Sequence, residues 1–285
     1  YPITPVPFTS VKVTGDFWSQ RLKASRDVTI PLAFSKCEET GRYDNFVKAA
    51  HPSDTNKVPG YPFDDTDVYK TIEGAAYSIQ TFPNKKLEHY IDSVIVLMGK
   101  AQEADGYLYT ARTMNPKHPH EWSGTQRFEK VEDLSHEFYN LGHMIEGAVA
   151  YYQATGKRAY LDIAIRYADC VDRAIGDGPN QVVRVPGHQI AEMALCKLYL
   201  VTGEKRYLNL AKFFLVIDQC FLHSEIFFFS ELVMTCGGAG IFIVHVAGES
   251  CTDRCAGNSS HCCFGEVFFF RSFFFWCSFF RSRFF

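Results

Sequence analysis

The chain has 285 residues, 47% of them hydrophobic, and a formal net charge of −3. That length buries a full core and allows one large domain or two small ones. A charge so near balance offers no basic face, which excludes nucleic acid as a partner class.

The opening YPITPVPF is Pro-rich and begins at Tyr1, not Met. We read it as the start of a processed or truncated chain, with any signal peptide already gone, so the expected location is secreted or periplasmic. From Phe17 onward, apolar residues recur at helical spacing. This predicts helices over 16–39, 66–82, 85–104, 131–154, 158–175, 187–201 and 204–215. Strand signals are few: VKVTG near the start, GYLYT at 106–110 and QVVRV at 181–185. In ATGKRAY and VTGEKRY, Gly156 and Gly203 fall just past helix ends, where a left-handed residue closes the last turn. Pro83 ends another helix, and GDGPN breaks the chain at 176–180.

An internal echo runs through this region. YYQATGKRAYLDIAIRYA is similar to LYLVTGEKRYLNLAKFFL, and IQTFPNKKLEHYIDSVIVLM is a weaker third copy. Helical hairpins that cannot bury their faces alone must stack, either as an open solenoid or as a closed α/α ring. Spacing alone leaves both open.

Composition changes sharply near Leu215. By count, residues 216–285 hold 16 of the 26 phenylalanines and seven of the ten cysteines, with no Pro, Tyr or Lys. We therefore divide the chain into residues 1–215, a helical domain, and 216–285, an anomalous Phe- and Cys-rich tail read as a misread gene end. The run from Val267 to Phe280 is interrupted by Arg271 and falls short of the ~20 residues a spanning helix needs, so no membrane anchor is expected. Cys251, Cys255, His261, Cys262 and Cys263 lack two C-x-x-C pairs, and no metal site is assigned to them. The thiols before position 216 (Cys37, Cys170 and Cys196) are too scattered for a disulfide framework and read as packed helix residues.

Chemistry concentrates in a few phrases. In SHEFYNLGH, His136 and His143 are seven residues apart, about 10 Å along a helix. The zinc-protease pattern H-E-x-x-H needs a spacing of four, so a shared metal is excluded. The helix face carries His136, Tyr139 or Asn140, His143 and Glu146, a polar stripe for a wet cavity, for another helix's polar groups or for solvent. VPGHQIAEMAL sets His188 at a helix start, where it is either a cap or a functional residue. Asp64, Asp65 and Asp67 precede a helix and read as caps and dipole partners. The alternative is a sugar-binding rim with Tyr61 and Tyr69 as stacking surfaces. An exposed Tyr107 in ADGYLYT, and His118, His120 and Trp122 in NPKHPHEWSG, fit the lip of a sugar cleft or a plain loop.

Taken in order, VKVTGDFWSQRL, DDTDVYKTIEGAAY, AQEADGYLYT, LSHEFYNLGHMIEGAVAYYQATGKRAYLDIAIRYAD and GHQIAEMALCKLYLVTGEKRYLNLAKFFL resemble glycoside hydrolase family 127, the β-L-arabinofuranosidase-like enzymes. The resemblance runs from about Val11 to Leu215. It implies an all-α fold, an (α/α)6 six-hairpin toroid present here only in its N-terminal part. It implies a carbohydrate substrate containing L-arabinofuranose, with His136 and His188 lining the sugar pocket, and it carries no substrate role onto His143. The family's chemistry, as the resemblance implies it, uses a zinc-bound cysteine thiolate as nucleophile and a glutamate as acid/base. Zinc is thus expected in the complete domain, although no cofactor or catalytic residue is assured in this chain. HVAGES at Glu249 and CFGEV at Glu266 resemble the acid/base and zinc-ligand phrases faintly, and the Cys262–Cys263 pair stands on the wrong side of Glu266; we read these as chance. The expectation is a truncated glycosidase with little or no activity. The alternatives are a non-catalytic helical-repeat module that binds glycan or protein, and another six-hairpin glycosidase such as an unsaturated-glucuronide hydrolase.

Overall fold

The computed structural model describes residues 6–217. Glu249, Glu266, the tail cysteines and the Phe-rich runs lie outside the described residues. No helix among the described residues is long and apolar enough to cross a membrane.

The predicted helix over 16–39 is present in three pieces. Helix α1 (Asp16–Ala24) passes through a π-helical turn (Ser25–Thr29) into α2 (Ile30–Glu39). Pro31 opens α2. It has no N–H to give and its ring crowds the preceding turn, and the widened π-turn accommodates it. Helix α3 (Arg42–Ala50) escaped the sequence reading: it is nine residues long, and only Asn45, Phe46 and Ala49 are buried. Helix α4 (Asp65–Thr81) buries Val68, Ile72, Ala75, Ala76 and Ile79 at helical spacing, and α5 (Lys85–Ala101) follows after Pro83. Asn84 caps α5 by accepting from the Leu87 N–H at 3.1 Å, which satisfies one of the donors a helix start leaves free. A single turn, α6 (Thr110–Thr113), precedes the long loop to α7 (Glu137–Thr155), α8 (Ala159–Ala174) and α9 (Ala191–Thr202), and residues 205–217 form α10.

Helix α7 is the centre. It is buried on nearly every face and packs along α4 on one side and α9 on the other, with α8 behind it. A helix apolar around most of its circumference belongs inside. Short connections make α4–α5, α7–α8 and α9–α10 hairpins of antiparallel neighbours. In this way α4, α7 and α9 form an inner file backed by α5 and α8.

The internal echo is a structural repeat. Gly156 (φ 74°) and Gly203 (φ 76°) each donate a backbone bond of 2.7 Å, to the carbonyls of Tyr152 and Tyr199. Thr155 and Thr202 each donate to the carbonyl four residues back, at 2.6 and 2.8 Å, and each hydroxyl accepts from the backbone N–H two residues on, at 3.2 Å. Tyr160 and Tyr207, which open the following helices, are both fully buried.

The strand signals do not form strands; no strand occurs among the described residues. Residues 11–15 are exposed and irregular. Tyr107 to Tyr109 are extended but buried, and they lead into α6 without a paired edge. Of QVVRV, only Val182 pairs, in an isolated bridge to Ile175. Strand propensity reflects the fit to a neighbouring strand, and among the described residues none of the three segments has one.

Candidate functional site

The predicted helix over 131–154 begins six residues late, at Glu137, because the chain turns a sharp corner at His136. His136 is left-handed (φ 59°), and so is Phe128 (φ 62°); they are the two non-glycine residues with positive φ among the described residues. Left-handed backbone is costly for a residue with a Cβ, so something must hold it. Glu137 does. Its buried carboxylate accepts from the Tyr107 hydroxyl, from the Ser135 hydroxyl at 2.8 Å and from the Phe128 N–H at 3.1 Å. The Tyr109 hydroxyl donates to the Ser135 carbonyl, and Asn140 donates its backbone and side-chain N–H groups to the His136 carbonyl at 2.9 and 3.1 Å. Burial raises the Glu137 pKa, opposed by its hydrogen bonds to Tyr107, Phe128 and Ser135. Tyr107 was expected on the surface and is instead wholly buried, as one of these donors.

His188 reaches the same corner from another segment. It does not start a helix; α9 begins at Ala191, and His188 lies in the preceding turn. Gly187 seats that turn by donating its N–H to the Val131 carbonyl at 3.2 Å. A Cβ at Gly187 would meet the Glu132 carbonyl oxygen at 2.6 Å, so only glycine allows this approach. The exposed His188 ring stands 4.9 Å, centroid to centroid, from the half-buried ring of His136.

Aromatic rings complete the wall. Phe63 stacks on His136 at 4.6 Å and 21°, and Tyr139 lies edge-on to His136 at 5.9 Å and 5.2 Å from His188. The Lys70 ammonium donates to the Tyr139 hydroxyl at 3.0 Å. One turn on, His143 packs against Tyr139 at 4.5 Å, and its Nδ1 is buried without a hydrogen-bond partner among the described residues. Burial, then Lys70, then His188 push the His143 pKa down to about 4. Burial, then the charge of His188, lowers that of His136. A neutral imidazole presents one donor and one acceptor, which suits a hydroxyl-rich ligand. Glu146, read as part of the polar stripe, is instead buried and paired with Lys197.

The Asp cluster is structural. Asp64 and Asp67 pair with Arg42 at 3.3 and 3.2 Å, and Asp64 also accepts from the Tyr61 N–H at 3.0 Å. Asp65 is fully buried and fastens α6 by accepting from the Thr110 N–H at 3.0 Å and hydroxyl at 2.7 Å. Burial pushes its pKa up to about 7. Tyr69, weighed as a stacking surface, belongs to the core, whereas Tyr61 is exposed.

A zinc ion has no fitting site among the described residues, which hold no group of three or more His, Cys, Asp or Glu side chains able to bind one. Cys37 and Cys170 are buried and Cys196 half-buried, and burial raises all three thiol pKa values, which disfavours the thiolate a metal needs.

The family model for the beta-L-arabinofuranosidase GH127 catalytic domain matches residues 10–232. The chain belongs to this glycoside hydrolase family. Among its relatives is a non-reducing end beta-L-arabinofuranosidase of Bifidobacterium longum subsp. longum, 34% identical over 226 residues that make up 72% of this chain and 33% of that protein. A solved GH127 beta-arabinofuranosidase is 77% identical with a TM-score of 0.74, covering 75% of this chain and 34% of its own. The GH127 beta-L-arabinofuranosidase of Geobacillus stearothermophilus T6 is 38% identical with a TM-score of 0.66, covering 72% and 32%. The chain thus spans about a third of the length of these relatives. Membership settles the choice left by the repeat: the fold class is the α/α toroid, and the hairpins described above form an arc of it.

Sequence reasoning named His136 and His188, and the structure brings them together; it did not single out Phe63 or Lys70. One signal was available. Tyr61, Pro62 and Phe63 form an apolar, aromatic cluster just before the aspartates, and in the structure it is a turn that stacks the two rings 5.3 Å apart.

Proposed function

We propose that this arc is the sugar-holding wall of a β-L-arabinofuranosidase-type glycoside hydrolase acting on glycans that end in L-arabinofuranose. His136 and His188 hydrogen-bond the hydroxyls of the terminal sugar. The observation that carries this reading is their convergence: two imidazoles from segments 52 positions apart meet beside Phe63 and Tyr139, one of them held in left-handed backbone by a buried carboxylate. Strain of that kind persists where the surroundings over-determine it, and it concentrates at functional sites. The imidazoles offer polar contacts to hydroxyls, and Phe63 offers an apolar surface to C–H groups, the usual mixture in a small-molecule pocket.

Hydrolysis further needs a nucleophile and an acid/base. The resemblance assigns these to a zinc-bound cysteine and a glutamate, which would be positioned from parts of the domain beyond the described residues. The wall itself binds and orients the sugar.

Calorimetric titration of the 285-residue chain with methyl β-L-arabinofuranoside tests the reading. Binding should be measurable and should fall by about tenfold or more in His136→Ala and in His188→Ala, the loss expected when a hydrogen bond to a buried hydroxyl goes. Unchanged affinity in both variants, or no binding at all, overturns it.

A further inference from the structure

The rings do not stop at His136. From it, Phe63, Tyr61 and Trp122 follow in file, with centroid steps of 4.6, 5.3 and 5.8 Å and interplanar angles of 21°, 7° and 33°. Rings in contact lie ~3.5–4 Å apart between planes. Near-parallel rings whose centroids are 5.3 Å apart are therefore slipped sideways by several ångströms, an offset stack. The slip leaves part of the Tyr61 face uncovered, and the residue is 56% exposed. Many aromatic residues of the domain are spent on the core, with Tyr69, Tyr107, Tyr109, Tyr151, Tyr160, Tyr167 and Tyr207 all fully buried.

Trp122 is held in place by a built loop. The largely buried guanidinium of Arg112 donates to the carbonyls of Ser123, Gly124, Thr125 and Gln126 at 2.7–3.2 Å. The Trp122 backbone N–H in turn donates to His120 Nδ1 at 3.2 Å, and the His120 ring stands edge-on to the indole at 5.7 Å. The Tyr61 side is fixed as well, because the Tyr61 N–H is bonded to Asp64, which pairs with Arg42. Two aromatic side chains from separate loops thus meet at one fixed position, the exposed Tyr61 two ring steps from His136 and the half-buried Trp122 three.

We propose that Tyr61 and Trp122 form a second sugar subsite, which takes the sugar residue linked to the terminal arabinofuranose. The proposal rests on the reading that His136 and His188 hold that terminal sugar. A sugar ring has a C–H face with a slight positive potential, and an aromatic face is negative, so the two attract while apolar area leaves water. No charged partner is needed. The platform recognises a ring and not a hydroxyl pattern, so it adds affinity for an oligosaccharide without fixing the identity of its second residue.

The test compares two ligands on the 285-residue chain by calorimetry: methyl β-L-arabinofuranoside and a disaccharide of two L-arabinofuranose units. The disaccharide should bind about tenfold tighter, in line with one aromatic stacking contact. Tyr61→Ala and Trp122→Ala should each erase most of that gain and leave the methyl glycoside unaffected, and Tyr61→Phe should keep it. Equal affinity for the two ligands in the unmodified chain overturns the second subsite alone. So does equal weakening of both ligands in the alanine variants, which would mark Tyr61 and Trp122 as structural. Failure of the methyl glycoside to bind overturns this proposal together with the reading on which it rests, and failure of the disaccharide alone overturns the second subsite only.

Discussion

The two ends of α7 are both made by a left-handed residue, and they could hardly be less alike. At the C-terminal end the residue is Gly156, with open space where a Cβ would stand. Its turn recurs at Gly203 with the same bonds and nearly the same φ. At the N-terminal end the residue is His136, a poor choice for that backbone, and a buried network keeps it there. Glycine at a helix end obeys a local rule and needs no other explanation. A histidine that breaks the rule, pinned by residues distant in sequence, marks a place where position matters more than local comfort. Adjacent residues divide the work: Glu137 faces inward and is saturated with hydrogen bonds, while His136 faces the aromatic wall.

Removing the pin should have the largest effect. Glu137→Gln keeps the shape but turns a carboxylate that takes only hydrogen bonds into an amide with two donors, set against the Phe128 N–H and two hydroxyls. Breaking a buried, fully satisfied network of this kind costs about 3 kcal/mol. Thermal or urea unfolding should show that loss, together with weakened binding of methyl β-L-arabinofuranoside through the displaced His136. A stable Glu137→Gln variant would mean that the corner holds itself.

The backbone terms at the two ends should be of similar size. Gly156→Ala adds a Cβ to left-handed backbone and should cost about 1 kcal/mol; no atom blocks the methyl group, so the cost is conformational. At the other end, His136→Ala and His136→Gly both delete the ring, so their difference isolates the same backbone term. The glycine variant should be the more stable by about 1 kcal/mol, yet bind sugar no better than the alanine variant. If the two are equally stable, the corner carries no strain and the contrast between the ends dissolves.

Much of this was legible in the sequence, and what was missed shares one cause. The C-terminal turn of α7 is written in four neighbouring residues, and it repeats, so both copies could be read. The corner at His136 is written in Tyr107, Phe128 and Ser135 as well as Glu137. Meanwhile Val131, Leu134 and Phe138 keep a helical spacing that extends the apparent helix backward. Period alone cannot show a turn imposed from 30 residues away. The aromatic residues teach the same lesson. Tyr61 and Tyr69 both stand near aspartates, but Tyr69 lies in register with Ile72 and Ala76 on the buried face of α4, while Tyr61 precedes the helix and projects outward. Residue type proposed both as sugar platforms, and only tertiary position separated them. Lys70 and Phe63 escaped because their meaning depends on Tyr139 and His136, on a different helix and its corner.

The smallest effect is the most specific to the wall. His143 has its pKa depressed to about 4, whereas an unfolded histidine titrates near 6.5. Between these values the unfolded chain binds a proton that the folded chain refuses. The contribution of His143 to stability is therefore fully present above pH ~6.5 and is lost as pH falls toward about 4. The ring is partly solvated, so the slope should lie well below the ~1.4 kcal/mol per pH unit of one wholly uncompensated proton. Asp65 acts in the opposite direction over an overlapping range. Its pKa is raised to about 7, so its carboxyl is most comfortable protonated, and its contribution fades as pH rises from its unfolded value toward 7. The total stability profile mixes the two, and only a difference separates them. Subtracting the profile of His143→Gln from that of the unmodified chain cancels Asp65 and leaves the histidine term. That difference should shrink as pH drops from 6.5 to about 4 and stay flat above. A flat difference throughout would show that neither burial nor the charges of Lys70 and His188 depress the His143 pKa. The wall would then be a set of independent side chains, not a surface on which the charges of Lys70 and His188 act on the buried ring of His143.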